Sequence, residues 1–150
     1  SPTFPIHAAD SRLLLSPGTP LLWDWGYGEL LSDEAFLPAA VLLTRVISKT
    51  VPGYLTTDLG HKSVAAENPV ERRIHLLNLE DCQVVSQSEE HLVVKTGEHT
   101  GTLPAVGDAL YGIPYHICPS VALYDEALAV EDGRVTARWA IEARRRQNRF

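Results

Sequence analysis

One hundred and fifty residues, 45% hydrophobic and 21% charged, suit one globular domain with a core of its own. A net charge of −6 argues against nucleic acid or an anionic membrane as the main partner. No stretch approaches the roughly 20 apolar residues of a membrane span, and the first residues do not read as a signal peptide.

Two cysteines, Cys82 and Cys118, are too few for a disulfide framework, so a reducing cytoplasm is the simpler setting. The chain opens on Ser1-Pro2-Thr3 and contains no Met, which suggests the C-terminal piece of a longer polypeptide. The one basic run, Arg144-Arg145-Arg146 with Arg149, reads as a solvated tail or a docking point for another domain.

Ser16-Pro17-Gly18-Thr19-Pro20 is a turn cluster, and the aromatic segment from Leu21 to Tyr27 predicts a strand. Trp23 and Trp25 are expected in the core, while Tyr27, between two glycines, could stand at a cleft wall. Ser32 could cap a short helical turn that Pro38 ends. Val41 to Ser48, rich in β-branched residues, predicts a buried strand, and Val51-Pro52-Gly53 a turn into another strand at Tyr54 to Asp58.

The segment from Gly60 to Arg73 has no period and reads as a long loop, a kind that is often functional. Short strands follow near Arg73–Leu77, Gln83–Gln87 and His91–Thr96, then a polar turn region from Gly97 to Pro104. Asp108 to Ile113 leads into His116-Ile117-Cys118. Asp132-Gly133 is a favoured hairpin turn, and beyond it Val135, Ala137, Trp139 and Ile141 alternate with polar residues, predicting one buried face. About eight short strands with short helical turns make the fold class all-β, a mainly antiparallel barrel or sandwich.

If His116 and Cys118 lie on an extended strand, they share a face and can converge on one metal ion. Two protein ligands leave the coordination sphere open, as a catalytic metal requires. Three polar clusters accompany them. Asp58, His61 and Lys62 end a strand beside Gly60, either aimed into a cleft or simply capping a turn. Glu89, Glu90 and His91 could supply a ligand, a general base or an acceptor for a metal-bound His, or form a charged hairpin tip. Tyr27 completes the third, in Trp23-Asp24-Trp25-Gly26-Tyr27-Gly28.

Several motifs in order give the sequence a resemblance: Ser16-Pro17-Gly18-Thr19, Asp58-x-Gly60-x-Lys62, Ser88-Glu89-Glu90-His91, Val106-Gly107-Asp108 and Ile113-Pro114-x-His116-x-Cys118-Pro119-x-x-x-Leu123-Tyr124. Together they resemble the C-terminal domain of the D-threonine aldolase and D-serine dehydratase family, pyridoxal-phosphate enzymes of the alanine-racemase-like fold type. The resemblance runs from Ser16 to about Arg144. It makes residues 16–150 a metal-binding β domain and residues 1–15 the remnant of a link, with Thr3 near substrate or cofactor.

The resemblance implies an N-terminal barrel elsewhere in the polypeptide that binds pyridoxal phosphate, a homodimer, and a D-3-hydroxy amino acid substrate. It puts a divalent metal, Zn²⁺ or Mn²⁺, on His116 and Cys118, with Glu90, His91 and Tyr27 as candidate catalytic residues and Asp58, His61 and Lys62 in the substrate and cofactor vicinity. Cys118 is a soft ligand and tilts the choice toward Zn²⁺. The wording from Gly60 to Glu67 and from Ser86 to His91 resembles the aldolase branch, so the expectation is D-threonine-aldolase-like retro-aldol cleavage rather than D-serine dehydration. Two other classes remain open: a non-catalytic dimerisation or lid domain, and an unrelated all-β binding domain of sandwich or cupin-like type. The last expects three or more His or Glu ligands on neighbouring strands, which are not evident.

Overall fold

A computed structural model describes residues 4–97 and 103–145. Strands β1 (Leu42–Ser48), β2 (Tyr54–Thr57), β3 (Ile74–Leu76), β4 (Cys82–Gln87), β5 (Leu92–Thr96) and β6 (Ala109–Pro114) form one antiparallel sheet in the order β3-β6-β1-β2-β5-β4. Strands β7 (Glu126–Glu131) and β8 (Arg134–Ala140) form a separate hairpin. Short helices α1 (Phe4–His7), α2 (Trp25–Leu30) and α3 (Ile117–Val121) punctuate the chain. Among the described residues no helix is long and apolar enough to cross a membrane.

Alternation builds the core. In β5 the burial runs in, half-out, in, exposed, in, which puts Leu92, Val94 and Thr96 on one face. With Val46, Leu55, Leu59, Val64, Ile74 and Leu110 they fill the concave side of the sheet. Register slips between Val46 and Ser48, and between Val84 and Ser86, bend the strands and curl the sheet into a half-barrel. The barrel stays open between edge strands β3 and β4, where a cleft of about 490 Å³ is lined by Leu76, Leu79 and Cys82. Mainly antiparallel β architecture is therefore as expected, and the long loop lies where the missing period put it.

Four local expectations are corrected. Leu21 to Tyr27 is not a strand, because Trp23 has a positive φ of 51° and Asp24 caps a helix that starts at Trp25. Trp23 is core at 2% exposed, but Trp25 is only half-buried. The helical turn expected after Ser32 is a plain turn, since the helix forms one segment earlier. The Asp132-Gly133 hairpin forms as expected, yet neither face is buried: Val130, Val135 and Trp139 are each about 60% exposed. A slip between Ala129 and Val130 breaks the alternation, and the hairpin stands off the main sheet.

A fifth correction touches the site. Strand β6 ends at Pro114, and Cys118 lies in α3 rather than on an extended segment. Pro119 is the third helical residue, where the backbone N–H has no helical partner to lose.

Candidate metal centre

His116 keeps extended torsions, φ −134° and ψ 108°, and is the residue from which α3 starts. The strand rule that would put its ring and the Cys118 sulfur on one face therefore does not apply, since Cys118 is already in the first turn of α3. Ser120 Oγ donates to the His116 carbonyl at 2.8 Å and accepts from Ala65 N at 3.2 Å. That one buried hydroxyl fixes the start of α3 and seats the long loop against it. Tyr124 Oη donates to the Ser63 carbonyl at 2.8 Å, a second stitch to the same loop, and burial pushes its pKa up.

The loop then delivers Glu67, whose Oε1 lies 2.7 Å from His116 Nδ1. With Nδ1 engaged by this carboxylate, Nε2 is the ring nitrogen left for another partner. A carboxylate on the far nitrogen is the usual support of a metal-bound imidazole. Sequence reasoning sought this carboxylate at Glu89 or Glu90 and missed Glu67. Cys118 is exposed, with Thr19 Oγ1 3.8 Å from its sulfur. Imidazole nitrogen and thiol sulfur suit a borderline-soft divalent ion. Among the described residues no three His, Cys, Asp or Glu side chains gather in metal-binding geometry.

Asp24 is the other residue the sequence did not reveal. Its Oδ1 accepts from Tyr27 N at 2.8 Å and its Oδ2 from Ile117 N at 3.0 Å. Gly26 N donates to the Tyr115 carbonyl at 3.0 Å, an approach that leaves no room for a Cβ. Tyr115 Oη and Trp25 Nε1 both donate to the Glu29 carboxylate, and the Trp25 ring stacks on His75 at 3.6 Å. Burial lowers the His75 pKa, with Glu29 pulling it partly back.

The remaining predicted residues gather elsewhere. Glu90 and His91 form the tip of the β4–β5 hairpin, where Glu89 and Glu90 pair with Lys62 Nζ at 2.9 and 3.1 Å. Hydrogen bonding to these two carboxylates holds Lys62 above its ordinary range. His61 N donates to the Ser88 carbonyl at 2.9 Å, so both clusters meet each other. Among the described residues neither Glu90 nor His91 is hydrogen-bonded to His116 or Cys118. Asp58 Oδ1 accepts from Thr44 Oγ1 and Arg45 N, which ties β1 to β2. Tyr27 packs its ring against Trp23 at 5.5 Å. Thr3 lies outside the described residues.

A family model described as "Putative serine dehydratase domain" matches residues 39–130, which include Glu67, His116 and Cys118. The chain belongs to this family. It is 31% identical over 121 residues to a D-threonine aldolase of an Arthrobacter species, covering 81% of this chain and 31% of that one. It is 28% identical over 115 residues to an uncharacterized protein of Mycobacterium tuberculosis, of which it covers 86%. The crystal structure of D-threonine aldolase from Filomicrobium marinum superposes with a TM-score of 0.77 at 24% identity, over 87% of this chain and 35% of that one. D-threo-3-hydroxyaspartate dehydratase from a Delftia species gives 0.54 at 17% identity, over 69% and 32%. Solved variants of that dehydratase replace a histidine and, two positions on, a cysteine by alanine, the latter in a metal-free form. This serine dehydratase family chain spans about a third of the aldolase and dehydratase chains, and those relatives are lyases.

Proposed function

We propose that the chain is the metal-carrying domain of a pyridoxal-phosphate-dependent lyase acting on D-3-hydroxy amino acids, with D-threonine-aldolase-like cleavage. The observation that carries this reading is the Glu67 carboxylate on His116 Nδ1, two residues before an exposed Cys118, which supports Nε2 as the ligand atom. The spacing of the histidine and cysteine replaced in the dehydratase variants supports it. The remaining polypeptide would contribute an N-terminal barrel and a homodimer partner.

When bound, the metal would polarise the substrate 3-hydroxyl as a Lewis acid, and pyridoxal phosphate in the barrel would act as the electron sink. Within this chain, Nε2 of His116 and the sulfur of Cys118 would hold the cation. Glu67 orients the His116 ring through Nδ1. Ser120 fixes the backbone between loop and helix. The Thr19 hydroxyl stands near the sulfur and can donate to a thiolate. Tyr27, Glu90 and His91 are further candidate catalytic groups, and Asp58, His61, Lys62 and Thr3 candidates for the substrate side.

Metal content tests the reading first. The purified protein should retain stoichiometric Zn²⁺ or Mn²⁺, and His116→Ala or Cys118→Ala should lose it. Glu67→Gln should weaken affinity by about 10- to 100-fold. Retention of full metal by His116→Ala would overturn the assignment. The branch is read on the full polypeptide, as acetaldehyde from D-threonine against pyruvate from D-serine. Equal turnover of both after exhaustive chelation would remove the metal from the mechanism. The exposed apolar residues of β7 and β8 favour a second reading, a dimerisation or lid domain without catalysis. Metal-free protein that still pairs with the barrel would support it.

A further inference from the structure

We propose that Asp24 is a positioning residue for the metal-binding segment, one carboxylate holding the starts of two helices so that His116 and Cys118 point the same way. This rests on the metal reading above. Helices α2 and α3 have six and five residues, too short to persist without outside support. Asp24 is 1% exposed, and its two oxygens accept separately, one from Tyr27 N and the other from Ile117 N. Ile117 stands between the two proposed ligands. Its N–H is therefore the handle on the direction of both.

The same two segments are joined twice more. Gly26 N reaches the Tyr115 carbonyl, and Thr19 Oγ1 approaches the Cys118 sulfur. Residues 19–27 thus act as a bracket on residues 115–118, with Asp24 as its buried pin. The carboxylate is specific to this task. An asparagine has one acceptor oxygen, and its NH₂ would face an N–H, so it can serve one helix only. A serine remains a good cap for α2 but has a single oxygen.

The test is a Co²⁺ titration of this chain, following the thiolate-to-cobalt charge-transfer band that reports sulfur ligation. Wild type should bind with the band present. Asp24→Asn and Asp24→Ser should each weaken Co²⁺ by about tenfold or more and lower the band per bound ion. Val46→Ala, a core change in β1, should reduce thermal stability and leave cobalt affinity and band untouched. If Asp24→Asn does not fold, Asp24→Ser decides. Folded Asp24 variants with wild-type affinity and band would overturn the proposal alone. A wild type that takes up no cobalt would overturn the metal reading and the proposal with it.

Discussion

Gly60→Ala should be among the most damaging single-methyl changes in this protein. A Cβ at Gly60 would lie 2.2 Å from the Glu89 carbonyl oxygen and 2.3 Å from Glu90 Cα, whereas ordinary contact begins at 3.4 Å. Both neighbours are backbone, so no side chain can swing aside. The loop must lift by about an ångström, and overpacking of this kind costs about 1–3 kcal/mol. Lifting also stretches the bonds from His61 N to the Ser88 carbonyl and from Lys62 N to the Glu89 carbonyl, at 2.9 and 3.1 Å. Each contributes about 1 kcal/mol, which brings the total to about 3–5 kcal/mol. At about 2–4 °C per kcal/mol for a chain of this size, the melting temperature should fall by about 10 °C. Thermal and urea unfolding followed by circular dichroism measure it. Gly18→Ala is the control, because nothing lies within 4 Å of its Cβ and its φ is −89°. Gly60→Ala melting together with wild type would refute the close-approach argument.

Two further predictions concern single side chains. Iodoacetamide should label Cys118 faster than Cys82, because Cys82 is half-buried, which raises its pKa, while Cys118 is exposed; equal rates in native protein would contradict the placement. Burial puts the folded-state pKa of His75 below the ordinary 6.5, so the unfolded chain takes up its proton more readily. The stability contribution is complete above about pH 6.5 and is lost as pH falls toward the folded value. His75→Phe, which keeps a ring on Trp25, should flatten that acid limb of the stability profile, and an unchanged limb would place the titration elsewhere.

Strands were legible wherever β-branched residues alternated against turn signals, as in β1, β2, β5 and the Asp132-Gly133 hairpin. The aromatic segment before Tyr27 misled because Trp and Tyr favour strands, while the deciding residue was a single carboxylate capping a turn of helix. Pro119 was a readable sign that the His116 and Cys118 segment turns helical, since Pro sits well in a first turn. Glu67 could not be read at all. It sits in a loop without period, and its partner is 49 positions away. The Lys62 and Glu89–Glu90 clusters were found but belong to one another rather than to His116. The apolar stripe on β8 promised burial, yet burial depends on a neighbour that no local pattern names.

The Ile117 amide is clasped from 93 positions upstream, and Ser120 grips Ala65 across 55. Grafting the heptapeptide around His116 onto another scaffold would therefore transfer its wording without its shape. On the nascent chain the same geometry would mature late, after the sheet between has closed the loops that bring both anchors within reach.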